Sequence, residues 1–244
     1  MPPYSVYRAA FQALALPGVT ASLRRFSAAR GLIFTLHRVV PDAPAEFSPN
    51  SILQVRPDFL EAVIVRAREA GFDIVDLDEA ISRIGAEDAK PFIVLTFDDG
   101  YRDNLVHALP ILRRHAAPFT LYIPTGLIDG VGIVWWQALE DIIAANDVVA
   151  FDMPEGPHYG DAGTLDQKNA TFALVYERHR KMAEPEREAS IRTLAQRYGF
   201  DLAAHCRELI MDWSELKTFA GEPLCTIGAH TVYHYELSKL PQDQ

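Results

Sequence analysis

One apolar run in the middle of the chain limits the folds that are open to it. Residues 92–97 read FIVLTF, five apolar residues and one threonine, without the alternation of a half-exposed strand. Such a strand is buried on both faces, which is typical of a parallel sheet covered by helices. The run ends in Asp98 and Asp99. α/β sheets and barrels carry their functional groups at this end of a strand. Asp99 could equally cap a following helix.

The sequence on either side of this run alternates between strand and helix patterns. Further strand patterns cover residues 32–36, 72–75 and 119–123. Helical patterns between them cover residues 57–70, 77–84 and 101–115. This alternation predicts a parallel sheet or a barrel of α/β class.

The alternation stops at about Leu127, and a strand pattern returns at residues 224–227. Helical patterns cover residues 134–145, 166–182 and 185–198, whereas residues 152–163 are rich in Gly, Pro and Asp and predict a loop. We therefore predict one domain over residues 31–244. Its barrel core comprises residues 31–127 and 223–244, and a mainly helical insertion covers residues 128–222.

The composition excludes several classes of protein. The chain has 33 acidic and 23 basic residues, a net charge of −10, and no cluster of Lys and Arg, which argues against a nucleic-acid-binding protein. No apolar run approaches the roughly 20 residues of a membrane span. Two cysteines make no disulfide framework. Together with the lack of a signal-peptide pattern, they lead us to expect a cytoplasmic protein.

Residues 1–30 form a basic amphipathic segment. They carry four arginines and no acidic residue, and their apolar residues recur at helical spacing on either side of Pro17-Gly18. Such a helical extension either packs its apolar face on the following domain, which is the commoner arrangement, or lies on an anionic membrane surface.

A second motif, HTVYH, places His230 and His234 four residues apart. If a helix begins at Thr231, both imidazoles project from one face, and such a pair can ligate one zinc ion. Histidine pairs at this spacing also arise by chance. A zinc protease is excluded, because its chemistry needs Glu directly after the first His.

The two acidic residues and the two histidines can form a single site. Asp99 is the natural third ligand, at the end of another strand. Asp98 is then free to take a proton from metal-bound water, whose pKa zinc lowers to about 7. This hypothesis accounts for all four residues at once.

The two motifs together resemble a known family. TFDDGY at residues 96–101 and HTVYHYEL at residues 230–237 resemble the first two signature motifs of the polysaccharide deacetylases, the NodB-homology proteins of carbohydrate esterase family 4. The LHRV, VRPDFLEAV, GFDIVDLDEAI, IPTG and IGAHT stretches are also similar to members of this family. The resemblance implies a distorted, incomplete (β/α) barrel and metal-dependent hydrolysis of an N-acetyl group on an amino sugar.

The resemblance also implies roles for individual residues. Asp98 resembles the family's general base, and Asp99, His230 and His234 resemble its metal triad, usually occupied by zinc. His37 follows the first strand, as the catalytic acid does in a rearranged branch of the family. It is either the acid that protonates the leaving amine or a histidine bonded into the rim of the barrel.

Aromatic residues near the motifs are candidates for contact with the sugar. We expect Tyr101 and Tyr233 to contact the substrate. Trp135 and Trp136 could also stack on sugar rings, although tryptophans in a helical segment more often belong to the core.

The sequence departs from the family pattern after His234. The Arg/Pro-containing loop that normally follows is lacking, and the sequence ends ten residues after this histidine. We therefore expect a second copy of the chain or the N-terminal helices to cover an open barrel edge.

Two rival functions stay open. The first is an inactive or weakly active deacetylase scaffold that binds carbohydrate. The second is phosphoryl transfer by an Asp nucleophile at a strand end, which would leave the histidine pair unexplained. For an active deacetylase, the candidate substrates are chitooligosaccharides, peptidoglycan fragments, exopolysaccharide and lipid-linked amino sugars.

Overall fold

The computed structural model describes residues 30–86, 89–153 and 156–241, together with residues 6, 9, 12 and 13, which are helical. The rest of the predicted basic extension lies outside the described residues, so both hypotheses for it stay open. Among the described residues, no helix has the length and apolar character needed to cross a membrane.

The centre of the fold is a parallel sheet of five strands. The nine strands of the described chain are β1 (Gly31–Leu36), β2 (Arg38–Val39), β3 (Gln54–Val55), β4 (Asp73–Ile74), β5 (Phe92–Phe97), β6 (Phe119–Ile123), β7 (Val148–Met153), β8 (Gly156–Asp161) and β9 (Cys225–Ala229). The order in the sheet is β1-β5-β6-β9, and β4 pairs in parallel with the beginning of β5. All six residues of β5 are buried, as the apolar run predicts for a central strand.

Helices cover this sheet and fill the segment between β6 and β9. They are α1 (Pro57–Glu69), α2 (Leu77–Ile84), α3 (Leu109–Arg114), α4 (Thr125–Ile128), α5 (Trp135–Ala144), α6 (Leu165–Lys181), α7 (Glu184–Arg197), α8 (Leu202–Leu209) and α9 (Trp213–Ala220). A turn of π-helix at Asn104–Ala108 precedes α3. Several helices start at the residues that the sequence marks: Pro57 opens α1, and Thr164 with Gln167 forms a capping box at α6.

Three apolar clusters hold the described residues together, the smallest of them around Phe92 and Val94 of β5. In the largest one, the rings of Phe97 and Phe119 meet edge to face at 5.9 Å, and Phe119 meets Phe219 of α9 at 5.5 Å. The second cluster lies within the segment between β6 and β9 and includes Phe151 and Phe172. This segment therefore has a core of its own as well as contacts with the sheet.

The prediction of a loop at residues 152–163 is wrong. These residues lie largely in an antiparallel hairpin of β7 and β8, whose register runs from Val148↔Asp161 to Met153↔Gly156. The hairpin packs on α6, where the hydroxyl of Thr171 donates a hydrogen bond to the carbonyl oxygen of Asp161 at 2.7 Å. Gly156, Pro157 and Gly160, which contribute to the composition that suggests a loop, belong to β8.

The predicted α/β class, with a parallel sheet and a helical insertion, is confirmed. Among the described residues the sheet is open, with β1 at one edge and β9 at the other, so the barrel is incomplete. The domain boundaries and a second copy at the open edge stay predictions.

Candidate active site

The site lies where β1, β5 and β9 end on the same side of the sheet. Pairing continues one residue beyond the strands: the backbone N–H of Asp98 donates to the carbonyl oxygen of Leu36 at 2.9 Å, and that of His230 donates to Ile123 at 3.0 Å. These bonds fix the first residue after β5 beside the end of β1, and the first residue after β9 beside the end of β6. His37, Asp98 and His230 thus come to one edge from distant parts of the chain.

Asp99 occupies an unusual turn directly after β5. Its φ is 73°, in the left-handed region that Asp tolerates better than most residues, and Gly100 follows with the same φ. The side chain is 1% exposed, and its Oδ1 atom has no hydrogen-bond partner among the described residues. The alternative that Asp99 caps a helix is therefore not supported.

The unpartnered oxygen of Asp99 faces the two histidines. Its Oδ1 atom lies 3.6 Å from Nε2 of His230 and 3.2 Å from Nε2 of His234. One ligand atom from each of the three residues lies within 4.8 Å of the others. A buried carboxylate oxygen without a donor, together with two imidazole nitrogens, fits a divalent metal such as zinc, which leaves a fourth position open with three protein ligands.

The histidine pair is not on a helix, so that part of the prediction is wrong. Residues 230–236, here called the His turn, form a turn in which Thr231 and His234 have φ angles of 61° and 59°. The hydroxyl oxygen of Thr231 accepts a hydrogen bond from the backbone N–H of Tyr235 at 3.2 Å. The turn brings the two imidazoles to 4.8 Å between ring centres, edge to face.

Asp98 and His37 lie beside the Asp99–His230–His234 group rather than within it. Nε2 of His37 is 3.9 Å from Oδ2 of Asp98, and both side chains are partly buried. Burial raises the pKa of Asp98 above its ordinary value, although nearby His230 and His37 oppose the shift. Burial lowers the pKa of His230, and His234 adds to this effect. A more basic carboxylate and a neutral imidazole are the states that proton abstraction and metal binding need.

Comparison with protein families supports the resemblance. Residues 85–152, which contain TFDDGY, match the family model described as polysaccharide deacetylase. The polysaccharide deacetylase resemblance is confirmed. A comparison with the curated proteins finds no significant match.

Solved structures similar to this polysaccharide deacetylase-like chain include three from bacteria. IcaB from Ammonifex degensii is 15% identical with a TM-score of 0.47, and the match covers 88% of this chain and 60% of that chain. A de-N-acetylase from Aggregatibacter actinomycetemcomitans is 14% identical with a TM-score of 0.46, covering 86% and 60%. The BpsB deacetylase domain from Bordetella bronchiseptica is 18% identical with a TM-score of 0.39, covering 84% and 55%. The chain thus spans about 60% of the length of the first two.

A cavity of about 160 Å³ opens beside the Asp99–His230–His234 group. Its walls include His37 and Asp99 from the ends of β1 and β5, His234 from the His turn and Trp136 from α5. The ring of Trp136 lies 4.7 Å from that of His234. The insertion therefore forms one wall of the site.

The structure changes the role of Tyr101. Its side chain is 0% exposed, and its hydroxyl accepts a hydrogen bond from Nε1 of Trp136 at 3.0 Å. The guanidinium of Arg38 lies 5.0 Å from the Tyr101 ring. A fully buried ring cannot contact the substrate, so that prediction is wrong and Tyr101 instead supports Trp136. Tyr233 is 45% exposed next to the site, and its contact with substrate stays a prediction.

Sequence reasoning missed several charged residues of the site. Arg180 of α6, Arg187 of α7 and Glu236 of the His turn also line the cavity. Arg187 is nearly fully buried. Because α6 and α7 read as ordinary helices with charged surfaces, nothing in the sequence distinguishes these arginines from solvated ones.

Proposed function

We propose that the protein is a metal-dependent hydrolase that removes N-acetyl groups from an amino-sugar oligomer or polysaccharide. The observation that carries the proposal is the placement of Asp98 next to the Asp99–His230–His234 cluster, in which the buried Oδ1 of Asp99 has no donor. A base beside a metal site, but not among its ligands, suits metal-assisted hydrolysis of an amide.

Asp99, His230 and His234 would hold the metal, and zinc is the ion that this donor set favours. A zinc ion bound there would supply Lewis-acid chemistry, lowering the pKa of a water molecule and polarising the acetyl carbonyl. The chain's part is to present Asp99 and His230 at the ends of β5 and β9, where the sheet fixes their positions, and His234 on the turn that follows β9.

Asp98 is the general base in this proposal. Its carboxylate accepts the proton of the attacking water, and partial burial raises the pKa of Asp98, which strengthens it as a base. Because Asp98 is not one of the clustered ligands, its oxygens stay available for this proton.

His37 is the general acid that protonates the departing amine. Its backbone carbonyl accepts a hydrogen bond from Nδ2 of Asn104 at 2.9 Å, which fixes the end of β1 against the helix that follows the Asp pair. The imidazole faces the same cavity as Asp99 and His234. An amine leaves only after it gains a proton, so a donor at this wall completes the hydrolysis.

The size of the cavity limits what enters it. A pocket for a drug-sized ligand typically has on the order of 300 Å³ or more, whereas this cavity has about 160 Å³. The acetamido group and part of one sugar ring fit this volume, and the remainder of an oligomer would lie outside.

The proposal is tested by acetate release from N-acetylglucosamine oligomers by the full chain, with added Zn²⁺ and with a chelator. Zinc-dependent release that disappears in Asp98→Asn supports it. Binding of the oligomers by a folded, zinc-loaded protein without any acetate release would instead support a carbohydrate-binding scaffold. Phosphatase activity that needs Mg²⁺ and is unaffected by a zinc chelator would replace both the deacetylase and the scaffold hypotheses with phosphoryl transfer.

A further inference from the structure

The first half of the His turn is held by the sheet end. The backbone N–H of His230 donates to the carbonyl oxygen of Ile123 at 3.0 Å, and the carbonyl oxygen of Val232 accepts from the N–H of Gly126 at 2.7 Å. These bonds connect the turn to the end of β6 and the beginning of α4.

The second half of the His turn is held by α7 of the insertion. The backbone N–H of Glu236 donates to Oε1 of Glu184 at 3.1 Å, and the hydroxyl of Tyr235 donates to Oε2 of Glu188 at 2.7 Å. His234 lies between the two halves, and none of the hydrogen bonds of the described residues involves its backbone. Its position, at a left-handed φ of 59°, therefore depends on the anchors on either side.

Glu184, which accepts the hydrogen bond from the backbone N–H of Glu236, belongs to a buried ion pair. Glu184 and Arg187 are 1% and 4% exposed, and the guanidinium of Arg187 donates to Oε2 of Glu184. Arg187 also approaches Oε1 of Glu236 at 3.5 Å, and it lies 5.0 Å from the ring of Trp135. Arg187 thus contacts one carboxylate on α7 and one on the His turn.

Stability alone does not explain such a pair. Removing two charges from water costs about as much as their attraction returns, so replacing both partners by apolar residues of similar size is often neutral or stabilising. An apolar pair cannot accept a hydrogen bond from the backbone N–H of Glu236, whereas the carboxylate of Glu184 accepts it at a fixed position. Groups that hold metal ligands in place contribute to metal affinity even when they never touch the metal.

We propose that Glu184 and Arg187 are positioning residues for the metal site: they fix the end of the His turn and thereby the imidazole of His234. The inference rests on the metal binding in the proposed function but not on deacetylation. It makes the insertion a structural part of the metal site as well as a cover for it.

The first test compares the wild-type chain with Glu184→Met/Arg187→Met, a double variant that leaves no unpaired charge behind. The Zn²⁺ affinity is measured by competition with a chromophoric chelator, and the melting temperature of the metal-free protein by circular dichroism. We expect zinc binding to weaken about ten- to a hundredfold, with little change in melting temperature. Glu177→Met/Lys181→Met, which removes an exposed pair on α6, is the matched control and should bind zinc as the wild type does.

Zinc affinity equal to that of the wild type in the folded double variant would overturn the inference, whether or not its melting temperature falls. If the wild-type protein binds no zinc, the metal site on which the proposed function and this inference rest is refuted. Zinc binding without acetate release would contradict deacetylation and leave the positioning role intact.

A second pair of variants keeps the test decisive if the double variant does not fold. Glu236 has φ −74°, which proline adopts without strain. Glu236→Pro and Glu236→Ala both lose the carboxylate, but only the proline also loses the N–H that Glu184 accepts. We expect the proline variant to bind zinc about fivefold more weakly than the alanine variant, the equivalent of one hydrogen bond. Equal affinities would refute the positioning role.

Discussion

Nε2 of His37 lies 3.9 Å from Oδ2 of Asp98, at the ends of the neighbouring strands β1 and β5. This distance is too long for a hydrogen bond, although the charge of a protonated His37 still acts on Asp98 and opposes the rise in its pKa that burial causes. The two side chains thus lie close enough to face one substrate, and neither holds the other in a hydrogen bond.

Asp98→Asn should reduce acetate release about a hundredfold or more, because a positioned general base typically contributes at least that factor. Zinc affinity should stay near that of the wild type, since Asp98 lies outside the clustered ligands. Activity assays and chelator competition on the same samples measure the two effects. Asp58→Asn, an exposed carboxylate at the beginning of α1, is the control. Full activity in Asp98→Asn would mean that another group accepts the proton.

His37→Gln should slow deacetylation of an N-acetyl sugar far more than it slows deacetylation of a substrate whose leaving amine is weakly basic. The reason is that a weakly basic amine departs without help from an acid. The ratio of kcat/KM for the two substrates, compared between variant and wild type, is the measurement. His115→Gln, whose ring lies beside Glu61 away from the site, is the control. Equal losses of kcat/KM on both substrates would support the alternative, in which His37 is a histidine bonded into the rim of the barrel.

Zinc should raise the melting temperature of the wild type but not that of His230→Ala. A ligand that binds only the folded state at a hundred times its dissociation constant stabilises it by about 2.7 kcal/mol. Replacing His230 removes one of the three ligands, so this gain should be largely lost. Thermal denaturation with and without Zn²⁺ measures it, and His158→Ala on the hairpin is the control. A zinc-induced shift that persists in His230→Ala would place the metal elsewhere.

Gly126→Ala should weaken zinc binding and lower the stability of the fold. A Cβ atom at Gly126 would lie 2.5 Å from the ring of Tyr233 and 2.8 Å from the carbonyl oxygen of Val232, so the His turn must shift. Overpacking of this kind typically costs about 1–3 kcal/mol. Gly221→Ala, where the nearest atom would lie at 3.5 Å, is the matched control. Chemical denaturation and zinc titration measure the two effects, and an unchanged zinc affinity would show that the turn adapts freely.

The fold should lose stability as the pH falls below about 6.5, in part because of His179. Burial lowers the pKa of this histidine, whose Nδ1 and Nε2 atoms bond Val175 and Ser190. The unfolded chain therefore takes up a proton at a higher pH than the folded chain does. The stabilising contribution is complete above the unfolded pKa and decreases as the pH falls towards the folded one.

His179→Gln should consequently show a shallower fall of unfolding free energy between pH 7 and pH 5.5, by up to about 1.4 kcal/mol per pH unit. Urea denaturation at several pH values is the measurement. Gln retains hydrogen-bonding groups at this position but cannot be protonated in this range. An identical pH dependence in both proteins would assign the effect to other groups.

The sequence predicts the sheet better than it predicts the turns. A central strand buried on both faces is visible at residues 92–97 because its apolar run has no alternation. The spacing of His230 and His234 correctly suggests a common site, yet the helical reason for it is wrong. The pairing of β7 with β8 depends on contacts with α6, which local composition does not contain.

The sequence pattern also does not predict the direction in which a side chain points. Tyr101 directly follows the Asp–Asp–Gly motif, but only the packed structure shows that its ring faces Trp136 rather than the cavity. Likewise, a helical pattern shows a charged residue at Arg187 without showing that it pairs with Glu184 and that Glu184 bonds the backbone of Glu236.

Residues 124–224 separate β6 from β9, although the two strands are neighbours in the sheet. Because a long segment must be closed before contacts so far apart in the chain stabilise the fold, we expect β6 and β9 to pair late in folding. On this expectation the His turn forms after β9 has paired, whereas Asp99 is already placed by β5. A bound metal would therefore act as a cross-link between early and late parts of the fold, and the metal content of a preparation would count the molecules that have completed folding.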